Sequence, residues 1–124
     1  MKQEDKETLI KDLCGRLPYG VKVLYNGTIK EIQYIEPAYN EIKLLDDFSN
    51  YTVGICEVKP YLRPMSSMTD EERTERISIL YELEGYIEED VTYKYQDWLN
   101  AHHLDYRGLI HKGLALEAPK GMYI

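Results

Sequence analysis

The sequence predicts an α+β domain: a curved antiparallel sheet of four or five strands, one N-terminal helix, and two or three C-terminal helices covering the sheet. Three observations carry this expectation. Residues 4–17 repeat apolar side chains at helical spacing, residues 21–58 switch to short alternating runs divided by turn residues, and helical spacing returns after residue 69. A chain of 124 residues is the length of one domain. It divides into a helix (1–18), a β-meander (19–58), a proline-bearing connector (59–69) and a helical region with a tail (70–124).

In the first helix, Leu9, Leu13 and Leu17 recur every four residues with Ile10 and Cys14 beside them, and Pro18 forbids continuation. Val21, Val23 and Tyr25 then alternate with Lys22 and Leu24 up to Asn26-Gly27, a two-residue hairpin signal because both residues tolerate positive φ. Residues 28–35 return as the partner strand. The apolar phase slips between Ile29 and Ile32, which predicts a bulge near Lys30 and Glu31. A turn at 37–40, a strand at 41–46 with Ile42 and Leu44 inward, a turn at 47–50 and a fourth strand at 51–58 complete the meander. Its length and rhythm are similar to an SH3-like barrel, half open.

The connector carries Pro60 and Pro64, which bar helix and central strand alike, and is expected to wrap the barrel and bury Leu62. Thr69 with Glu72 three positions on forms a capping box for a helix running to about residue 87, with Ile77, Leu80, Tyr81, Leu83 and Ile87 as its apolar face. A last helix is expected over 93–103, where Tyr95, Trp98, Leu99 and His102 share one face. A short helical turn over 106–111 follows, stopped by Gly113, and residues 114–117 are placed to add an edge strand.

No apolar run is long enough to cross a bilayer and no signal core follows the N-terminus, so the expected location is cytoplasmic, with no membrane association. Cys14 and Cys56 make no disulfide framework and are expected as small buried hydrophobes. The net charge is −7, and residues 70–90 alone, with nine acids and two bases, account for all of it. A nucleic-acid binder normally presents a basic stripe; here one would have to be assembled from Lys22, Lys30 and Lys43, with Tyr25 and Tyr34 for stacking. Twelve tyrosines against one Phe and one Trp suit half-buried sheet faces and binding surfaces.

The tail gathers all three histidines and the one tryptophan. His102, His103 and Asp105 carry metal-ligand atoms, but adjacent histidines on a helix point about 100° apart and do not converge. His102 continues the stripe of Trp98 and Leu99 and is assigned to the core; no metal and no cofactor is expected. Asp105 is placed to cap the short turn after it or to pair with Arg107. His103, Tyr106 and Arg107 remain as surface binding candidates, joined by Tyr61 and Arg63 of the connector. There is no glycine-rich phosphate loop, nucleophile elbow, H-E-x-x-H or zinc quartet.

Trp98-Leu-Asn-Ala-His-His-Leu-Asp-Tyr-Arg-Gly-Leu-Ile, continuing into Gly113-Leu-Ala-Leu-Glu-Ala-Pro, resembles a phrase of a small-protein family of Bacteroidales and their phages or prophages. Leu13-Cys-Gly-Arg-Leu-Pro-Tyr-Gly-Val-Lys-Val and Lys59-Pro-Tyr-Leu-Arg-Pro-Met-Ser-Ser-Met-Thr fit the same pattern. The resemblance covers under half of the chain. It implies a protein of phage or mobile-element origin in a bacterial cytoplasm and brings no catalytic residue with it. The leading expectation is a non-catalytic binding protein acting through a protein partner or self-association. The alternatives are a nucleic-acid-associated protein using the barrel face, and an enzyme or metal protein centred on His103, Asp105 and Arg107.

Overall fold

The computed structural model describes residues 1–45, 51–84 and 89–123, with the backbone alone at 51, 82–84 and 89–92. The turn expected at 47–50 and the helix end expected near 87 lie outside the described residues.

Helix α1 (Gln3–Arg16) buries Leu9, Ile10 and Leu13 and ends in a 3-10 turn, Leu17–Tyr19, that Pro18 opens. Strands β1 (Lys22–Tyr25) and β2 (Thr28–Glu36) meet through Asn26 and Gly27, both at positive φ (49° and 78°), as a two-residue hairpin requires. Strands β3 (Glu41–Leu45), β4 (Tyr51–Gly54), β5 (Val58–Leu62) and β6 (Leu116–Glu117) complete a sheet of order β4-β3-β2-β1-β5-β6. All pairings are antiparallel except β5 with β6. The sheet is open, with β4 and β6 at its two ends.

In the sheet, three details differ from the sequence reading. The bulge in β2 falls between Ile32 and Tyr34 rather than at Lys30 and Glu31. Ile29 can therefore stay on the outer face, 52 % exposed, while Ile32 turns inward. The run 51–58 is not one strand: a 3-10 turn, Ile55–Glu57, divides it, held by the Glu57 carboxylate accepting the Gly54 N–H at 2.7 Å. This corner carries the chain from the β4 end of the sheet across to β1. The connector then supplies β5, Pro60 included. Pro60 is tolerated because β6 pairs only with Tyr61 and Leu62, so on that side the strand needs no N–H at Pro60.

One apolar cluster joins α1 to the inner side chains Val21, Val23, Ile32, Ile42, Leu44, Val53, Ile55, Val58 and Leu62, and Leu109, Leu114 and Ala115 of the tail close it. Helices α2 (Asp70–Glu84) and α3 (Glu89–Ala101) pack on each other, and α3 also meets α1. The contact is close at Gly15, where a Cβ would stand 2.9 Å from Asn100 Nδ2. The capping box forms as expected: Thr69 N–H donates to Glu72 Oε1 at 2.8 Å, and Glu72 N–H donates to Thr69 Oγ1 at 3.2 Å.

The buried side of α2 is not the one its apolar residues suggested. Glu72 and Ile79 face inward, while Ile77 and Tyr81 are 63 % and 76 % exposed. Residues 106–111 form turns rather than a helix. Asp105 nonetheless caps them, accepting the N–H groups of Leu109 (2.9 Å) and Ile110 (3.0 Å). Cys14 and Cys56 are exposed, contrary to their expected burial. Cys14 follows Leu13 by 100° on the helix and so lies outside the packed stripe, and Cys56 sits in the corner before β5.

Candidate functional site

The tail is fastened to α1 by a buried charged cluster. Asp12 and Arg16 are fully buried, with Arg16 Nε donating to Asp12 Oδ2 at 2.7 Å and Nη2 to Oδ1 at 3.1 Å. Arg16 Nη2 also donates to the Leu104 carbonyl at 2.8 Å, and Arg107 Nη1 donates to Asp12 Oδ1 at 2.8 Å. The Tyr106 ring faces both guanidiniums, whose carbons are 5.1 and 4.9 Å from its centroid. Its hydroxyl accepts from Arg107 and donates to Asn100 Oδ1, each at 2.9 Å.

Arg107 therefore spends its charge on Asp12 rather than on Asp105 or a ligand, and Tyr106 and Arg107 are half-buried rather than presented at the surface. Asp12 and Arg16 escaped the sequence reading. The signal was present: they stand three and seven residues after Leu9, in phase with the apolar stripe, where a solvated ion pair would not sit.

A second network lies where the connector meets the helices. Arg63 grips Glu72 with two parallel bonds (2.7 and 2.8 Å) and also donates to the carbonyls of His102 and Ser67. His102 Nδ1 is 2.9 Å from Glu72 Oε2, its ring lies 4.6 Å from that of Trp98, and Glu75 stands 3.8 Å from its Nε2. The Arg63 guanidinium beside Glu72 holds that carboxyl down at about 2. An open cleft of about 510 Å³ runs above, lined by Arg63, Ser67, Thr69, Glu72, Lys120 and Tyr123 among others. Its two central charges, Arg63 and Glu72, already satisfy each other.

The two histidines exchange the roles the sequence assigned. His102 is partly exposed and polar-bonded; His103 is buried. The helix ends at Ala101, and His103 takes a left-handed backbone (φ 58°) that turns its ring inward onto Tyr123, with centroids 3.6 Å apart. Desolvation, then the positive charges of Arg16 and Arg63, push its pKa down to about 4.

The Tyr123 hydroxyl accepts the Lys22 N–H (2.9 Å) and donates to the Tyr61 carbonyl (2.8 Å), so Tyr61 acts here through its backbone. Burial raises the Tyr123 pKa to about 12. Tyr123→Phe keeps the stack and removes both bonds. It is expected to cost about 1–2 kcal/mol in urea unfolding, with a loss well below that range showing that water replaces the hydroxyl.

Among the described residues no three His, Cys, Asp or Glu side chains converge as metal ligands. The candidates His102, His103 and Asp105 point into three different environments: the Glu72 carboxylate, the Tyr123 ring and the N–H groups of Leu109 and Ile110.

The outer sheet face mixes its charges. Lys22 pairs across strands with Glu31, and Lys43 lies 5.1 Å over the Tyr34 ring, whose hydroxyl bonds to Glu36. Tyr25 packs against the core. Carboxylates thus stand between the lysines that a nucleic-acid interface would need in one stripe.

Among the described residues, the helical hairpin carries large apolar side chains that stand outside the core. Ile77 and Tyr81 lie one turn apart on α2, and Tyr93 on α3 is 59 % exposed. Glu75, on the side of α2 that meets α3, accepts the Trp98 Nε1–H at 2.9 Å. The chain is thus an α+β open-sheet domain with two internal polar clusters and with apolar side chains projecting from a helical hairpin. It matches no protein-family model, no curated protein and no solved structure. No helix among the described residues is long and apolar enough to cross a membrane.

Proposed function

We propose that this chain is a non-catalytic binding protein of phage or mobile-element origin, working in a bacterial cytoplasm and meeting a protein partner through the outer side of its α2–α3 hairpin. The observation that carries this reading is the outward display of Ile77, Tyr81 and Tyr93, each more than half exposed, next to a core completed without them. Supporting it, Arg63, His102, Arg107 and Asp105 are bonded within the chain, and His103 is covered by Tyr123. The strand order, with β5 beside β1 and a 3-10 turn before it, supports reading the first five strands as an SH3-like barrel left open. In that reading the barrel is the scaffold and the hairpin the contact surface.

Ile77→Ala with Tyr81→Ala is expected to leave unfolding stability within about 0.5 kcal/mol, as for exposed positions. A photo-crosslinking residue at position 81, expressed in the bacterial host, is expected to trap one discrete protein that Ile77→Asp releases. The same residue at position 59, on the outer sheet face, is expected to trap none. Equal trapping at both positions, or none at 81, overturns the proposal.

A further inference from the structure

The outward side of α2 is complementary to itself. On a helix turning 100° per residue, Arg73, Thr74, Ile77, Ser78 and Tyr81 point away from the buried Glu72 and Ile79, and all five are exposed. None of the five is acidic. Glu71 and Glu75 run in line with Ile79 instead, and Glu75 is engaged by Trp98 at 2.9 Å with His102 at 3.8 Å. Arg73, Ile77 and Tyr81 follow at four-residue steps, so Arg73 and Tyr81 stand about 6 Å to either side of Ile77 along the helix. The Arg73 side chain is 57 % exposed, and its 3.4 Å contact with the fully exposed Asp70 carboxylate is of the weak surface kind.

A stripe that reads cation, aliphatic, aromatic matches a reversed copy of itself. In an antiparallel pair with its two-fold axis at Ile77, each residue comes level with the partner residue equally far on the other side of the axis. Ile77 then meets the partner's Ile77, and Arg73 comes level with the partner's Tyr81, where a guanidinium over an aromatic face is attractive. The chain uses the same pairing within itself, Arg76 over Tyr95 and Arg16 and Arg107 over Tyr106. Thr74 and Ser78 beside the stripe are small, and the Thr74 hydroxyl donates to the Asp70 carbonyl at 3.0 Å, so two helices can approach closely there. We infer that the α2 face receives the α2 face of a second copy of this chain, antiparallel about a two-fold axis at Ile77, with each Arg73 on the partner's Tyr81. This inference rests on the binding role proposed above and identifies the partner as the chain itself.

The test is sedimentation equilibrium of the full chain from about 1 to about 300 μM, where a monomer–dimer equilibrium is expected. Ile77→Asp is expected to abolish the dimer, and Arg73→Glu and Tyr81→Leu each to weaken it about tenfold, with urea unfolding of all three unchanged. Orientation is read by disulfide trapping in a Cys14→Ser, Cys56→Ser background under air oxidation. A mixture of Arg73→Cys and Tyr81→Cys chains is expected to join one of each, which keeps the second Arg73–Tyr81 contact intact. A chain that stays monomeric throughout, a dimer indifferent to Ile77→Asp, or Arg73→Cys chains that join each other as readily as they join Tyr81→Cys chains each overturn the inference. A photo-crosslink at position 81 that traps a different protein, while the purified chain stays monomeric, removes the second copy and leaves the binding role standing.

Discussion

Asp12→Ala is expected to destabilise the fold by about 3–5 kcal/mol, a large part of what a domain of this size has in hand. The carboxylate is fully buried and is shared by Arg16 and Arg107. Removing it leaves the Arg16 guanidinium, itself fully buried, without a counter-charge, facing Tyr106 and the Leu104 carbonyl. The penalty is the desolvation of an uncompensated charge, which is why it exceeds the value of an exposed ion pair. Arg107→Ala is expected to cost clearly less, because Asp12 keeps both bonds to Arg16 and the Arg107 side chain is 20 % exposed. Urea unfolding of the two variants checks the order: equal losses would mean that the cluster does not act through the shared carboxylate.

Stability is expected to fall with acid in two successive windows. His103 has its pKa lowered from 6.5 to about 4 in the folded chain. Between those values the unfolded chain binds more protons, so stability is complete above about 6.5 and is lost as pH falls toward 4, by about 3 kcal/mol in all. The groups that set this are the buried ring itself and the positive charges of Arg16, Arg63, His102 and Lys22. Glu72, lowered from 4.5 to about 2 chiefly by Arg63, adds stability present above 4.5 and lost as pH falls toward 2. Unfolding curves at pH 7, 5.5, 4.5 and 2.5 for the natural chain and His103→Gln separate the two. The variant is expected to lose the upper window and keep the lower one. An undiminished loss between pH 7 and 4.5 in His103→Gln would assign that window to another group.

Much of the architecture was legible because it rests on local rules. The stripe of α1, the Asn26-Gly27 hairpin and the capping box of Thr69 and Glu72 formed where the sequence placed them, and of the two roles open to Asp105 the cap is the one that formed. The candidate site was less legible. Local rules leave Tyr61, Arg63, His103 and Tyr106 without partners and offer Arg107 only Asp105, whereas the partners that form lie elsewhere: Arg107 reaches Asp12, Arg63 reaches Glu72 and the carbonyl of His102, and His103 stacks on Tyr123. Periodicity cannot show a pairing across ninety residues. The exposed Ile77 and Tyr81 read as core in sequence because an apolar residue at helical spacing has the same pattern whether it meets this chain or another.

By itself, then, the sequence determined the three helices and the first three strands, where the hairpin and the capping box fall, and that the negative charge is concentrated in residues 70–90. Only the tertiary structure decided which polar groups are consumed and which apolar ones are left over. It split 51–58 into two strands so that β5 could reach β1, and it turned His103 rather than His102 inward. The physical reason is range. Dihedral preferences and periodicity act over a few residues, whereas burial and charge pairing are settled by whichever distant segment packs against a face.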